Sequence, residues 1–365
     1  PLLHLILPVG ISFYTFQTLS YAIDVYRRRC PVEHDIARFA TYVALFPQLV
    51  AGPIVRAAHL LPQLHGDRRF ARDRVAAGLN LVVWGYFLKL ALADTLGRQI
   101  DVADQWFARP DAFGAAGHMV GTVLFSFQIY GDFAGYSLIA IGLGRIMGFD
   151  FGVNFRRPYF AASFSEFWQR WHISLSSWLR DYLYIPLGGS RHGAARTMRN
   201  LVVTMFLGGL WHGAAWTFVL WGLLHGVYLV VWHAGERAVA RVPRLQGAAL
   251  RRFARPFLVV IVFALTGLAW VFFRAESVGD ALTIVTKILD WRQPAGPVSS
   301  DWIGLGKCLI VVAIVLAVDF AAEFPAIRAR YGASTTLRFA AMLLGLWGIA
   351  LLGTFSGGVF IYFQF

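Results

Sequence analysis

An all-α polytopic membrane protein is the fold class this sequence predicts, and three observations predict it. Of 365 residues, 58% are hydrophobic and only 15% charged, against roughly 25% charged in an ordinary soluble domain. The apolar residues fall in runs near the roughly 20 residues that a helix needs to span a bilayer core. The basic residues behind the formal net charge of +13 sit in short stretches between those runs, the pattern of cytoplasmic loops. That placement weighs against nucleic-acid binding, which needs the charge gathered on one face.

In chain order, about eight to ten candidate spans cover residues 2–25, 39–55, 75–96, 117–130, 137–149, 201–210, 214–232, 256–273, 303–320 and 339–352. Several are short and interrupted, as at Phe46-Pro47 and Ala51-Gly52-Pro53. Broken or re-entrant helices of this kind survive at membrane depth only where protein or a water-filled cavity covers the freed backbone groups. The basic stretches 27–29, 56–74, 191–199, 237–255 and 328–338 are expected to face the cytoplasm. Even numbers of spans do not separate all of them, so some segments re-enter rather than cross. Residues 237–255 read as a basic amphipathic stretch lying on an anionic surface.

No internal repeat and no soluble domain boundary is visible, so residues 1–365 are expected to form one membrane-embedded domain. The chain enters an apolar run from Pro1 with no basic stretch ahead of it, so no signal peptide is expected. Cys30 and Cys308 are far apart and read as two free thiols.

Two segments differ from ordinary lipid-facing helices. Residues 165–184 read as one helix on which Trp168, Trp171, Leu175, Trp178, Leu179 and Tyr182 share a broad apolar face. Gln169, Arg170, Ser177, Arg180 and Asp181 occupy the other face, with Ser165 as N-cap and Glu166 placed to pair with Arg170. An interfacial anchor accounts for these features, but not for His172 on the aromatic side.

The second segment, 200–230, holds Gly208-Gly209-Leu210-Trp211-His212-Gly213 with no charged residue from Asn200 to His233. An ionisable group at such depth is costly and is a functional candidate by default. The glycines let another backbone or a narrow substrate approach, and Trp211 and Trp216 are placed to wall a passage. A neutral imidazole can accept a hydroxyl proton at one nitrogen while the other is held by a hydrogen bond. The competing reading is a packing histidine bonded to a helix carbonyl. His225 lies 13 residues further on, so at about 1.5 Å per residue an unbroken helix holds it roughly 20 Å from His212. It reads as structural. No His-x-x-x-His pair stands with a carboxylate, Asp132 and Asp150 are isolated, and no Gly-x-Ser-x-Gly elbow is present, so neither a metal site nor a serine nucleophile is expected.

Phe167-Trp168-Gln169-Arg170-Trp171-His172-Ile173-Ser174-Leu175 and Gly209-Leu210-Trp211-His212-Gly213 resemble the paired signatures of the membrane-bound O-acyltransferases. Supporting stretches run through the chain: 7–17, Phe46-Pro47-Gln48-Leu49-Val50-Ala51-Gly52-Pro53-Ile54, Asp132-Phe133-Ala134-Gly135-Tyr136-Ser137, Tyr184-Ile185-Pro186-Leu187-Gly188-Gly189, Trp270-Val271-Phe272-Phe273-Arg274 and 360–365. They point to the bacterial branch that holds the alginate O-acetyltransferase membrane subunit and the D-alanyl transfer protein of teichoic acid modification.

The resemblance implies a ring of tilted transmembrane and re-entrant helices around a central tunnel. It implies further spans ahead of residue 1, and a place in the bacterial inner membrane. It makes His212 the catalytic residue and His172 a second functional histidine toward the cytoplasmic entrance. Trp168, Arg170, Trp171 and Ser176 around His172, with Trp211 and Trp216 around His212, are then the candidate substrate-binding residues. No bound cofactor is implied; acetyl-CoA or another acyl thioester is the donor substrate. The acceptor is an alginate-like exopolysaccharide, reached directly or through a periplasmic acetyltransferase partner. The rival readings are an exporter of an acyl donor or glycan, with the histidines as a proton relay, and a scaffold for a polysaccharide export complex.

Overall fold

The computed structural model of the chain describes residues 10–49, 52–242, 247–290, 292 and 296–355. Residues 2–9 of the first apolar run, Val50-Ala51, residues 243–246 of the 237–255 stretch and the closing 360–365 lie outside the described residues. Every regular element among the described residues is helical.

The chain opens with α1 (Ile11–Tyr26), after which the expected 39–55 span is divided. Its parts are α2 (Ile36–Ala44) and α3 (Phe46–Leu49), with Leu45 extended between them. Pro47 has no N–H and fits only in a first turn, which is where α3 places it. A short α4 (Ala57–Leu64) follows, then α5, a continuous helix over Arg72–Asp104 that widens into π-type stretches at Phe87–Ala93 and Arg98–Asp104. The two expected spans 117–130 and 137–149 prove to be one helix, α6 (Ala115–Met147). Asp132 lies in the stretch between them without ending the helix, because Lys89 Nζ on α5 sits 2.6 Å from its Oδ1.

The α5–α6 contact is set by glycine. A Cβ on Gly78 would fall 2.6 Å from the Gly142 carbonyl oxygen, and one on Gly85 2.7 Å from that of Gly135. The same positions in reverse give 2.7 and 2.8 Å. Two such pairs, seven residues apart on each helix, let the backbones approach without intervening side chains, the usual route to close packing where lipid supplies no hydrophobic drive between helices.

The 165–184 segment is not one helix. It forms α7 (Phe164–Arg170) and α8 (Ile173–Leu179), the latter running into a π-type stretch at Arg180–Tyr184. Trp171 and His172 form the break. The cap also lies earlier than expected: Ser163 Oγ accepts the Glu166 N–H at 3.0 Å, and Glu166 Oε2 accepts the N–H of Ala162, the residue before the cap, at 2.7 Å, a close relative of the capping box. The expected Glu166–Arg170 pair forms at 2.7 Å.

Next come α9 (Ala194–His212) and α10 (Trp216–Ala240), joined by the three-residue turn 213–215. They fold back on each other through Gly209 and Gly222, whose Cα atoms are so close that a Cβ on either would lie 3.1 Å from the other's Cα. A Cβ on Gly209 would also collide with the Phe218 carbonyl. Gly209→Ala is therefore expected to destabilise the hairpin by about 1–3 kcal/mol, the usual cost of overpacking. A lower thermal midpoint of the detergent-solubilised protein checks this, and an unchanged midpoint refutes it.

The chain continues with α11 (Ala248–Arg274), α12 (Val278–Leu289), α13 (Trp302–Glu323), α14 (Pro325–Ala333) and α15 (Thr335–Leu352). Among the described residues five helices, α5, α10, α11, α13 and α15, are long and apolar enough to cross a membrane, as a multi-pass membrane protein requires. Only 6% of the apolar window of α15 is buried, against 44% for α11, so α15 lies at the rim and α11 backs the centre.

Candidate active site

His212 ends α9, where the helix stops at Gly213 and the chain turns. Its ring meets Trp211 at 4.8 Å, Trp221 at 4.9 Å, Phe273 at 5.1 Å and Phe218 at 6.3 Å between centroids. It is half-buried, beside the exposed Ala214 and Ala215, so it is neither set in a flat lipid face nor sealed in the core. The glycines around it serve backbone packing: Gly209 meets Gly222, and a Cβ on Gly213 would lie 2.7 Å from the Phe218 ring. Trp211 packs inward on Phe16 at 5.2 Å and Phe13 at 6.4 Å. Trp216 does not join the wall expected of it. It is 72% exposed at the start of α10, because the turn at 213–215 carries it outside the ring of aromatics around His212.

His172 is 2% exposed and occupies the left-handed region, φ 42° and ψ 56°, a conformation that costs a non-glycine residue energy and persists only where its surroundings enforce it. Asn154 supplies the enforcement. Its backbone carbonyl accepts the Ile173 N–H at 2.8 Å, while its Oδ1 accepts the Ser174 N–H at 3.1 Å and the Ser174 hydroxyl at 2.9 Å. Its Nδ2 donates to Ser137 Oγ at 2.9 Å. A backbone N–H can only donate, so the atom facing Ser174 is the amide oxygen, and His172 Nδ1, 3.2 Å from that oxygen, carries the ring proton. His172 Nε2 is then an acceptor, and it has no protein partner among the described residues. Asn154 gave no signal in the sequence and Ser137 entered only as the end of the 132–137 stretch, since neither lies on a helical period with His172.

An aromatic wall joins the two histidines. Phe155 stacks over His172 at 6.2 Å and meets Trp171 at 5.1 Å; Trp171 lies 5.0 Å from Trp270, Trp270 5.7 Å from Trp221, and Trp221 4.9 Å from His212. Trp171, 4% exposed, is thus a core member of the wall. His225, expected on an unbroken helix to be far from His212, rests on the same Trp221 ring, also at 4.9 Å. The hairpin turn, which helical spacing ignores, brings the two imidazoles no further apart than those two separations end to end.

Two cavities flank α7. One of about 510 Å³ lies between α7, α8, α9 and α10 and is lined by Trp168, Ser176, Arg180, Thr204 and His233, among others. Trp168 and Ser176 therefore stand where a substrate can reach them. The second, about 560 Å³, is lined by Arg156, Arg157, Arg170 and Arg328 with Glu166. Arg170 borders it, but its guanidinium is engaged by Glu166 at 2.7 Å and by Glu323 at 2.8 and 3.2 Å. It ties α7 to α13 rather than offering a free cation. Burial pushes the Glu166 carboxyl up, but the Ala162 N–H and the guanidiniums of Arg255 and Arg170 outweigh it and hold the group below the ordinary value. The ion cluster's contribution is accordingly present at neutral pH and lost as pH falls through the Glu166 pKa.

The family model described as membrane-bound O-acyltransferase matches residues 27–273, a range that holds His172, His212 and His225. Over 277 residues the chain is 47% identical to the "Probable alginate O-acetylase" of Pseudomonas aeruginosa, covering 76% of this chain and 50% of that protein. The protein of the same description from Azotobacter vinelandii is 44% identical over 301 residues, 82% of this chain and 55% of its own length. A peptidoglycan O-acetyltransferase of Helicobacter pylori is 35% identical over 311 residues, 78% of this chain and 57% of that protein. The chain spans about half the length of these curated relatives.

Proposed function

We propose that this chain, which belongs to the membrane-bound O-acyltransferase family, carries the catalytic centre of an enzyme that moves an acetyl group from a cytoplasmic thioester to a hydroxyl on an exopolysaccharide or on a periplasmic acetyltransferase partner, across the bacterial inner membrane. The observation that carries the reading is His212 half-buried at the broken end of α9, set in aromatic rings, with a second, oriented imidazole at His172 across the wall.

In this reading His212 takes the proton of the acceptor hydroxyl as its oxygen attacks the thioester carbonyl carbon. The carbon–sulfur bond breaks, the thiolate leaves, and the proton on His212 passes to it, so that the base is regenerated. His172, with its free Nε2 acceptor, and Ser176 on the cavity wall guide the donor. The 510 Å³ cavity admits the donor from the side of the basic 191–199 stretch. The alginate-like acceptor is carried over from relatives that cover only part of their length with this chain.

The deciding experiment uses membranes holding the full-length protein and its neighbouring gene products, supplied with acetyl-CoA labelled in the acetyl group. Label is expected in an O-acetyl ester on a glycan or on a partner protein. Label that crosses the membrane still on its carrier, with no ester formed, would replace this reading with the exporter.

A further inference from the structure

The 560 Å³ cavity beside α7 has no part in the reaction above, and its charge is not balanced among the described residues. Arg157 and Arg170 meet Glu323, and Arg170 shares Glu166 with Arg255. Asp319, one turn before Glu323, accepts the Tyr130 hydroxyl at 3.0 Å. Arg156 and Arg328 line the same cavity and are exposed, yet no carboxylate among the described residues pairs with either. Arginines that only tie helices together are used up on acids; two left over at one hollow call for an anion from outside.

The hollow is held in shape. Arg157 occupies the left-handed region, φ 48° and ψ 61°, a conformation that persists in a non-glycine residue only where its surroundings enforce it. The end of α7 does so: the Arg170 carbonyl accepts the Arg156 N–H at 2.9 Å, and Arg170 Nη1 donates to the Arg157 carbonyl at 3.3 Å. Arg170 is clamped in turn by Glu323 on α13, so the cations stand in place before any ligand arrives.

Location identifies the anion. α13 ends at Glu323 and α15 starts at Thr335, so α14, which has no buried residue, lies where the chain turns at one membrane face. Phe324, Ile327 and Tyr331 fall at i, i+3 and i+7 and are 46%, 49% and 40% exposed. Phe320, also exposed, packs on Phe324 at 5.2 Å. An apolar flank thus adjoins the basic hollow at the level where helices leave the bilayer. A soluble anion has use for the cations alone, whereas a phospholipid uses both, with its headgroup on the arginines and its chains along the flank.

We propose that this cavity binds the headgroup of an anionic phospholipid, with the phosphate on Arg156 and Arg328 and the acyl chains along Phe320, Phe324 and Ile327. Guanidinium groups suit the role because their forked N–H groups match phosphate oxygens. The volume lies within the roughly 300–1,000 Å³ of small-molecule sites. A zwitterionic lipid offers the same phosphate but brings an ammonium against the surplus positive charge, so the net anionic headgroup is preferred. The claim stands apart from the acyl-transfer reading.

The test uses the full-length protein in a neutral detergent and follows lipid retention by native mass spectrometry as phosphatidylglycerol or phosphatidylcholine is titrated in. Wild type is expected to hold one phosphatidylglycerol at least about tenfold more tightly than phosphatidylcholine, the worth of one charge-assisted hydrogen bond. Arg156→Gln combined with Arg328→Gln is expected to remove that preference, and because both residues are exposed the core is untouched. Arg27→Gln combined with Arg29→Gln takes the same charge from another exposed basic stretch and is expected to leave the preference within about twofold. No preference in wild type, a preference that survives in the cavity variant, or an equal loss in both variants overturns the site. Displacement of the lipid by inorganic phosphate or by acetyl-CoA would assign the hollow to a soluble phosphate and overturns the lipid reading.

Discussion

With alanine in place of His212, O-acetyl transfer is expected to fall by about 10²- to 10⁴-fold, the range that a positioned general base supplies, while the chain still inserts and accumulates. A sugar or protein hydroxyl is a poor nucleophile at neutral pH unless its proton has somewhere to go as the bond to carbon forms. In a setting walled by Trp211, Phe218, Trp221 and Phe273, the imidazole is the group suited to take it. Its position also makes the substitution a fair test. The residue ends α9 rather than lying within it, and the ring is half-buried, so shortening it removes the base without opening the α9–α10 contact at Gly209 and Gly222. The measurement is labelled acetyl turnover per unit of membrane-inserted protein. Wild-type turnover in this variant would refute the proposed chemistry. A scaffold role predicts that outcome, because it needs no base at this position.

The sequence made His212 legible because depth in an apolar stretch isolates an ionisable residue, and the glycines beside it announced a close approach. What approaches is Gly222 and the Phe218 ring, which spacing alone had no means to name. The membrane class was legible in composition, but the boundaries failed wherever a distant residue decides them. Asp132 looks like the end of a span until Lys89, 43 residues earlier, neutralises it. The aromatic period from Trp168 to Trp178 runs straight through the break at His172, because the side chains of both short helices pack into one wall. Asn154, which enforces that break, makes its bonds to residues 18 and 20 positions away, beyond any local pattern. His225 was misplaced for the same reason: its distance from His212 depends on a turn of three residues.

The largest effect on stability is expected from Lys89→Met. The Lys89 ammonium lies 2.6 Å from Asp132 Oδ1 and 2.8 Å from Asp94 Oδ1, and the three side chains are 10%, 3% and 9% exposed. Methionine fills nearly the same volume, so the substitution tests charge rather than packing. It leaves two carboxylates in an apolar interior, and removal of one partner from a buried ion pair typically costs about 3–5 kcal/mol, because the remaining charge has lost its compensation. The cost should spread. Lys89 sits in a π-type stretch of α5, four residues from Gly85 at the crossing with α6, and Asp132 adjoins Phe133, whose ring lies 4.5 Å from His172. Activity is therefore expected to fall together with the thermal midpoint of the detergent-solubilised protein. Neutralising the acids as well, with Asp132→Asn and Asp94→Asn added to Lys89→Met, should recover most of the midpoint, since a buried ionic group replaced whole by neutral residues of similar size is often close to neutral in stability. A Lys89→Met protein as stable as wild type would show that water or another cation already serves these carboxylates. A triple variant no better than the single one would place the importance of Lys89 outside its pairing with these two acids, for instance in its ammonium over the Tyr136 ring, 5.7 Å from the centroid.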